Sequence, residues 1–212
     1  MVEKSKLDED LHEKPVDATL YRGMSGSLMY LTSSRPNLIY VVRLCARYQA
    51  KPTENHLNAV KGIFQYLKGT INMGLWHWKD IGMSLTTYAD ADHVRCQDIR
   101  RSTSGSAQFL GDKIVRWSSK KQKKHCDLDK IALCCNNVQH SRAKHIDVRY
   151  HFIKEQVENR IVELYFVRTA YQLADIFTKP LPRERFSFLI EKLGMRSMSL
   201  EMLKRLTEEE DE

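Results

Sequence analysis

The stretch Met83-Ser-Leu-Thr-Thr-Tyr-Ala-Asp-Ala-Asp92 decides the fold expected for this chain. Its residues alternate up to Asp90, which predicts a β-strand that ends in carboxylates. Asp127 and Asp175 stand in similarly short, otherwise apolar stretches. A single aspartate at the end of a strand is usually a turn or cap residue. Three of them at the edges of core elements are candidate ligands for a divalent metal that serves phosphodiester chemistry.

A β-hairpin is predicted after this strand. Residues 106–110 and 113–118 have strand character, and Gly111-Asp112 between them fits a two-residue turn. Further on, the pattern predicts an amphipathic helix over 147–157, a strand over 161–168 and the start of a helix at 172–177. A helix over 184–193 precedes Gly194, and a last short helix covers 199–206.

The pattern before this sheet region is helical from residue 17 to Gly69. A short apolar segment covers 21–31, and Pro36 lies in the first turn of a second helix. Thr53 is the predicted N-cap of a third helix, which Gly69 ends. We expect residues 17–70 to form a separate helical piece, whose apolar stripe serves packing.

The charge of the chain is concentrated in one block. The 212 residues carry 34 Lys and Arg against 27 Asp and Glu, a formal net charge of +7. Residues 113–150 contain ten basic residues and three acidic ones, so this block alone accounts for the excess. Such a block favours a polyanionic partner. For the run from Lys120 to Lys124, a solvated lysine-rich loop is an equally good interpretation.

Cysteine usage and hydropathy indicate the compartment. The five cysteines have no disulfide-framework spacing, and the sequence shows no apolar signal region or membrane-length apolar segment. This favours a reducing, intracellular location, cytoplasmic or nuclear, without membrane contact. One group of residues could also be interpreted as a set of zinc ligands: Cys126, Cys134, Cys135, His140 and His145. Their spacing fits no common zinc finger. Buried thiols and surface histidines are the better interpretation.

Six motifs in a fixed order resemble the copia-type plant retrotransposon Pol polyproteins, from the connection after the reverse transcriptase through the ribonuclease H region. The resemblance runs from about residue 20 to 205. The motifs are the segment 21–36, Tyr66-Leu-Lys-Gly-Thr70, Arg101-Ser-Thr-Ser-Gly105, Trp117-Ser-Ser-Lys-Lys-Gln122, His140-Ser-Arg-Ala-Lys-His-Ile-Asp147 and Ala174-Asp-Ile-Phe-Thr-Lys-Pro180.

The resemblance implies a fold and a chemistry. The fold is an α+β, ribonuclease H-like mixed sheet of five strands with flanking helices, preceded by a helical segment. The chemistry is cleavage of the RNA strand of an RNA–DNA hybrid by two Mg²⁺ ions held by four carboxylates. Asp90, Asp127 and Asp175 match three of these catalytic, metal-binding positions, and Asp92 matches a neighbour. An intact polyprotein would also supply an upstream reverse transcriptase as partner.

One part of the family pattern is missing. The family's second ligand is a glutamate in a helix between the strand of Trp117 and the strand of Asp127, and only Lys123, Lys124 and His125 separate these motifs here. The family's sheet sets these strands three positions apart, about 14 Å sideways. In the family these two strands are parallel, so the chain between them must cross over one face of the sheet. Such a crossover takes a dozen residues or more, whereas the seven residues from 119 to 125 span at most about 24 Å. We therefore expect an internal deletion and an incomplete fold, irregular over 119–146.

The expected consequence is a hybrid nuclease that is inactive in this copy. Glu155, Glu158 and Glu163 are poor candidates to replace the missing glutamate. Arg160 stands where the family has a glycine with left-handed backbone, a further departure that suggests a pseudogene-like copy. The alternative is a non-catalytic remnant that binds nucleic acid weakly through basic residues: Arg101, Lys120, Lys121, Arg142 and Lys144.

The resulting division of the chain has five parts. We expect a polar linker over 1–16, the helical segment over 17–75 and a ribonuclease H-like domain over 76–182 with its gap near 119–127. C-terminal helices follow over 183–206, and an acidic tail covers 207–212.

Overall fold

The computed structural model describes residues 7, 13–77, 82–92, 102–122, 155–199, 201, 202 and 204. Within these ranges the chain is an α+β protein. A helical segment comes first, an antiparallel sheet follows, and short helices from the C-terminal part pack on one face of that sheet.

The helical segment has its own apolar core. Helix α1 (Ala18–Leu31) begins at Asp17, whose Oδ1 accepts the Thr19 backbone N–H at 2.7 Å. A 3₁₀ helix, η1 (Pro36–Leu38), leads into α2 (Ile39–Ala46). Helix α3 (Glu54–Gly69) has Thr53 as its N-cap, as predicted. The core between these helices consists of Tyr21, Leu28, Leu38, Val42, Cys45, Val60 and Ile63.

The predicted strand and hairpin are confirmed. Strands β2 (Leu85–Asp92), β3 (Thr103–Leu110) and β4 (Lys113–Lys121) form a three-stranded antiparallel sheet in the order β2-β3-β4. Gly111 in the turn has φ 55°, a value that glycine adopts without strain. Strand β3 buries every second residue from Thr103 to Phe109, which gives the sheet one core face.

C-terminal elements cover this core face. They are the 3₁₀ helix η3 (Leu173–Phe177) and helix α4 (Arg183–Lys192), whereas the preceding 3₁₀ helix η2 (Thr169–Tyr171) has no buried residue. The predicted helix over 184–193 is thus confirmed, and Gly194 after it has φ 79°. The core beneath them includes Ala107, Phe109, Ile114, Ala174, Ile176, Phe177, Leu189, Ile190 and Leu193.

A small second sheet was not predicted. Strand β1 (Met73–Leu75) pairs antiparallel with β5 (Met195–Ser197), so the end of the helical segment is joined to the segment after α4. The Trp76 N–H extends the ladder by donating to the Gly194 carbonyl oxygen at 2.8 Å. Each strand has three residues, too few for a period-2 pattern to be recognised in the sequence.

Two expectations about the fold were wrong. Residues 161–168 are not a strand, and Phe166 among them is 97% exposed. A strand requires a neighbour that pairs its N–H and C=O groups, and no described strand pairs with this segment. The helical segment is also not separate. Its Ile39 belongs to the core of the sheet, and Trp117 Nε1 donates to the Thr32 carbonyl oxygen at 3.0 Å.

Some expectations fall where the structure gives no description. These concern most of the helix over 147–157, residues 123–146 of the stretch expected to be irregular over 119–146, and the candidate zinc residues Cys126, Cys134, Cys135, His140 and His145. Residues 119–121 of that stretch are not irregular, because they belong to β4. Among the helices that the structure describes, none combines the length and the apolar character needed to cross a membrane.

Candidate metal and nucleic-acid site

Asp90 is placed on the core face of the sheet by the register of β2. It lies opposite Gly105 of β3, and Gly105 in turn lies opposite Ser119 of β4. Directly opposed residues in an antiparallel pair point to the same face. The Asp90 carboxylate therefore lies on the side where η3 packs, and its side chain is 20% exposed.

Gly105 allows η3 to lie directly on the sheet. A Cβ atom at this position would come within 2.7 Å of Thr178 Cγ2, 2.8 Å of Phe177 Cβ and 2.9 Å of the Ala174 carbonyl oxygen. Contacts this short do not occur between real side chains, so only a residue without Cβ fits here. This close approach brings the C-terminal part of η3 to the end of β2 that carries Asp90.

The two family-matched aspartates in the described ranges meet at this point. Lys179 Nζ lies 2.8 Å from Asp175 Oδ1 and 3.7 Å from Asp90 Oδ2. Thr178 Oγ1 lies 2.7 Å from Asp90 Oδ2 and 3.1 Å from the Asp175 carbonyl oxygen. The carboxylate is the stronger acceptor, so the single hydroxyl proton of Thr178 is best placed toward Asp90. The Lys179 ammonium thus lies between the two carboxylates, and the Thr178 hydroxyl donates to Asp90.

Asp175 is the buried member of the pair, with a side chain only 3% exposed. Burial raises the pKa of this carboxyl above its usual range, because a charge is poorly solvated there. The Lys179 ammonium lowers the pKa, while the neighbouring Asp90 carboxylate raises it, and the net shift is upward. A raised pKa caused by burial and a second carboxylate is typical of functional sites.

Two further side chains fix η3 relative to the strand. Gln172 donates from Nε2 to the Ala89 carbonyl oxygen at 3.1 Å, and its Oε1 accepts the Ala174 N–H at 3.2 Å. Arg185 of α4 donates from Nη2 to the Thr169 and Gln172 carbonyl oxygens at 2.7 and 3.2 Å. The same Nη2 lies 3.6 Å from Asp175 Oδ2. Arg185 therefore both stabilises the turn before η3 and adds a second positive charge near Asp175.

Of the other predicted site residues, four have no described position. Asp127, Arg101, Arg142 and Lys144 lie outside the described residues. The described part of the chain contains no group of three or more His, Cys, Asp or Glu side chains able to hold a metal. Exposed Glu155, Glu158 and Glu163 consequently do not complete the pair.

Strand β4 places the two described lysines of the basic motif on opposite faces. Lys121 lies opposite Thr103 and so shares the face of Asp90, whereas exposed Lys120 lies opposite Ser104 on the other face. Arg43 of α2 and Arg47, the residue that follows α2, contact the sheet. Arg43 Nη1 donates to the Ser119 carbonyl oxygen at 2.6 Å, and Arg47 Nη2 donates to Thr103 Oγ1 at 3.2 Å.

Sequence reasoning missed several of these residues. Lys179 follows Asp175 by four positions, a spacing at which side chains meet on a helical turn, so it could have been paired with that carboxylate. Thr178 stands in the same quoted motif. Arg43, Arg47 and Arg185 gave no local signal, because their contacts depend on how α2 and α4 pack against distant elements.

Comparison with known proteins identifies relatives of almost the whole chain. It is 36% identical to the Retrovirus-related Pol polyprotein from transposon RE1 of Arabidopsis thaliana, over 236 residues that cover 92% of this chain and 16% of that polyprotein. The corresponding polyprotein from transposon RE2 of the same plant is 35% identical with the same coverage. That from transposon TNT 1-94 of Nicotiana tabacum is 30% identical over 218 residues, 84% of this chain and 16% of the polyprotein.

No family model matches the chain, and no solved structure matches it significantly. The chain spans only 16% of the length of the three polyproteins, so it corresponds to a small portion of each. Identity of 30 to 36% across 84 to 92% of this chain leaves no doubt about common descent. The chain therefore belongs to the retrovirus-related Pol polyproteins of copia-type plant transposons.

Proposed function

We propose that this chain is a ribonuclease H-like remnant of a retrotransposon Pol polyprotein that binds RNA–DNA hybrids weakly and no longer cleaves them. One observation carries the proposal. Asp90 and Asp175 converge as nuclease ligands would, yet the described residues add no third acidic ligand, and Lys179 lies between the two carboxylates.

The donor set fits one Mg²⁺ ion rather than two. Carboxylate oxygens suit Mg²⁺, which is commonly held by one or two carboxylates together with water and phosphate oxygens. Asp90 and Asp175 would hold such an ion, which would supply Lewis-acid stabilisation of a phosphate oxygen. A second ion about 4 Å from the first needs further carboxylates. The resemblance assigns these to a glutamate and Asp127, and the family's glutamate motif is missing here.

The lengths of the aligned sequences support an internal deletion. The alignments with the RE1 and RE2 polyproteins span 236 residues, at least 24 more than the 212 of this chain (236 less 212), so the relatives contain positions without a counterpart here. The observed strand order places β4 two positions from β2. A strand beyond β2 would therefore lie about 14 Å from β4, and the seven residues 119–125 are too few for a crossover.

Basic side chains at the sheet support nucleic-acid contact. Lys121 lies on the face of Asp90, Arg47 donates to Thr103 Oγ1 on that face, and Arg43 donates to the main chain of β4. Positive groups on one face neutralise phosphates and give binding that is independent of sequence and sensitive to salt. Recognition of a hybrid would then depend on backbone shape and 2′-OH groups. In an intact polyprotein the helical segment would lie beside an upstream reverse transcriptase.

Cleavage and binding assays on the same protein test the proposal. Incubation of an RNA–DNA hybrid with Mg²⁺ should give no cutting, and Asp90→Asn should behave identically. Fluorescence anisotropy should show a hybrid Kd on the order of 10⁻⁶ to 10⁻⁴ M at physiological salt. Cutting that disappears in Asp90→Asn would establish an active ribonuclease H, the second candidate, which the convergence of the two aspartates favours.

A pair of charge variants tests the basic face. The variant Lys121→Gln should weaken binding and reduce the slope of log K against log salt by roughly 1. The control Lys61→Gln removes the same charge from an exposed position of α3 and should leave that slope near the wild-type value. Equal losses in both variants would mean that net charge alone determines binding and that β4 provides no interface.

A further inference from the structure

The position between the two carboxylates is held by a side chain of the protein itself. Lys179 Nζ is within ion-pair distance of both Asp175 Oδ1 and Asp90 Oδ2, at 2.8 and 3.7 Å. These are the oxygens that a cation at this site would contact. An ammonium and a divalent ion cannot both occupy this position, because like charges repel strongly at such distances.

The charges of this cluster already balance. Asp90 and Asp175 contribute two negative charges, while Lys179 and Arg185 contribute two positive ones. Arg185 is committed to the fold, because its guanidinium also donates to the carbonyl oxygens of Thr169, Ala170 and Gln172. In the described part of the chain Lys179 Nζ contacts only the two carboxylates. Lys179 is therefore the cation that can leave without disturbing the backbone.

The location of Lys179 also permits exchange. Its side chain is 22% exposed, so the ammonium can reach water by rotation of its unbranched stem. Partly exposed ion pairs contribute little free energy, because the charges are solvated and the long side chain loses rotamer freedom. The Asp175 side chain, by contrast, is buried, with an exposure of only 3%.

We propose that Lys179 is a built-in counter-cation that competes with divalent metal for the Asp90 and Asp175 carboxylates. It stabilises the pair when no metal is bound and lowers the affinity of the site for Mg²⁺ or Mn²⁺. This inference rests on the proposed function in one respect: Asp90 and Asp175 are taken as the metal site of the ribonuclease H-like ancestor. Neutralising Lys179 should convert a metal-indifferent protein into one that binds metal and is stabilised by it.

Metal titration without nucleic acid tests this competition. Mn²⁺ binding, measured by calorimetry and by electron paramagnetic resonance, should be at least about tenfold tighter in Lys179→Met than in the wild-type chain, because one unit charge next to the ion is removed. Lys179→Arg keeps the charge and should bind as weakly as wild type. Adding Asp90→Asn to Lys179→Met should abolish the gain. Lys61→Met, on the exposed side of α3, controls for the change in net charge.

Thermal unfolding gives a second readout on the same proteins. Without metal, Lys179→Met should have a lower Tm than wild type, because two carboxylates lose a shared counter-charge, and Mn²⁺ should restore it. Equal Mn²⁺ affinity in wild type and Lys179→Met, or no binding in any variant, would overturn the proposal. Hybrid binding does not enter these measurements, so a chain that ignores hybrids yet shows the tenfold difference would refute only the proposed function.

Discussion

Gly105 and Thr178 are so close that a Cβ atom on Gly105 would lie 2.7 Å from Thr178 Cγ2. This contact sets the distance between β3 and η3 and hence the approach of Asp175 to Asp90.

Gly105→Ala should push η3 away from the sheet. The added methyl group meets the Ala174 carbonyl oxygen at 2.9 Å, and backbone cannot move aside as a side-chain end can. We expect a loss of about 1 to 3 kcal/mol in the free energy of unfolding, measured by urea denaturation. Gly62→Ala in α3, where a Cβ meets nothing within 4 Å, is the control and should stabilise by about 0.5 to 1 kcal/mol. A neutral Gly105→Ala would mean that η3 does not rest on β3.

Replacing Arg160 by glycine should stabilise the chain. Arg160 has φ 57°, the one positive φ outside glycine among the described residues. The Arg160 N–H donates to the Val157 carbonyl oxygen at 3.0 Å and the Ile161 N–H to that of Gln156 at 2.9 Å, a Schellman ending whose left-handed residue is normally glycine.

We expect Arg160→Gly to raise the free energy of unfolding by about 1 kcal/mol, because a side chain in the left-handed region costs about that much. Arg168→Gly is the matched control. Its φ of −59° is ordinary, so the same change should be neutral or destabilising there. A lower urea midpoint for Arg160→Gly would show that the arginine side chain makes a contribution larger than its backbone strain.

Asp175→Asn should stabilise the metal-free protein at neutral pH. Burial raises the pKa of Asp175 above its ordinary 3.8, so the folded chain binds this proton more tightly than the unfolded chain. Protonation of Asp175 therefore adds to the free energy of unfolding. This contribution is fully present below the ordinary pKa of 3.8 and is lost as the pH rises through the higher pKa of the folded chain. Asparagine has no charge to bury, so its advantage should be present at pH 7 and shrink toward pH 4.

Urea midpoints across this pH range, in buffer with a chelator, measure the effect. Asp112→Asn, in the exposed hairpin turn, removes the same charge and controls for the change in net charge. A lower midpoint for Asp175→Asn at pH 7 would indicate that the ion pair with Lys179 outweighs the cost of burial.

Cys45 should resist alkylation in the folded protein. Burial raises the pKa of its thiol to about 11, so the reactive thiolate is scarce at pH 8, and the side chain is fully enclosed in the core of the helical segment. Peptide mapping after iodoacetamide treatment should find Cys45 unmodified without denaturant and modified in concentrated urea. Equal modification in both conditions would contradict the enclosed position between α1, α2 and α3.

The sequence predicted local structure best where neighbouring residues carry the signal. The Thr53 cap, the Gly111 turn and the Gly194 stop each depend on one residue and its immediate neighbours, and the structure has all three. The prediction of a strand over 161–168 was wrong, because an apolar pattern indicates only that a segment could pair with a neighbouring strand. Whether a neighbouring strand is present depends on distant parts of the chain.

The site shows the same limit. Family motifs named Asp90 and Asp175, and the fold brings these two together. Lys179 could have been paired with Asp175 from its spacing of four residues, but the arginine contacts were missed because they depend on how distant elements pack. Arg43 reaches the Ser119 carbonyl oxygen from 76 residues away, and no periodicity in the sequence reports such a contact.

Pairing of β1 with β5 has a consequence for how such a chain tolerates changes in length. It joins the two ends of the stretch 76–194, so that stretch is a closed loop held by main-chain hydrogen bonds. Closing a flexible loop costs only about 0.6 kcal/mol more for each doubling of its length. Segments within the loop can therefore shorten by dozens of residues with little change in the free energy of pairing between β1 and β5. Copies of unequal length can in this way keep a common frame long after their interiors have diverged.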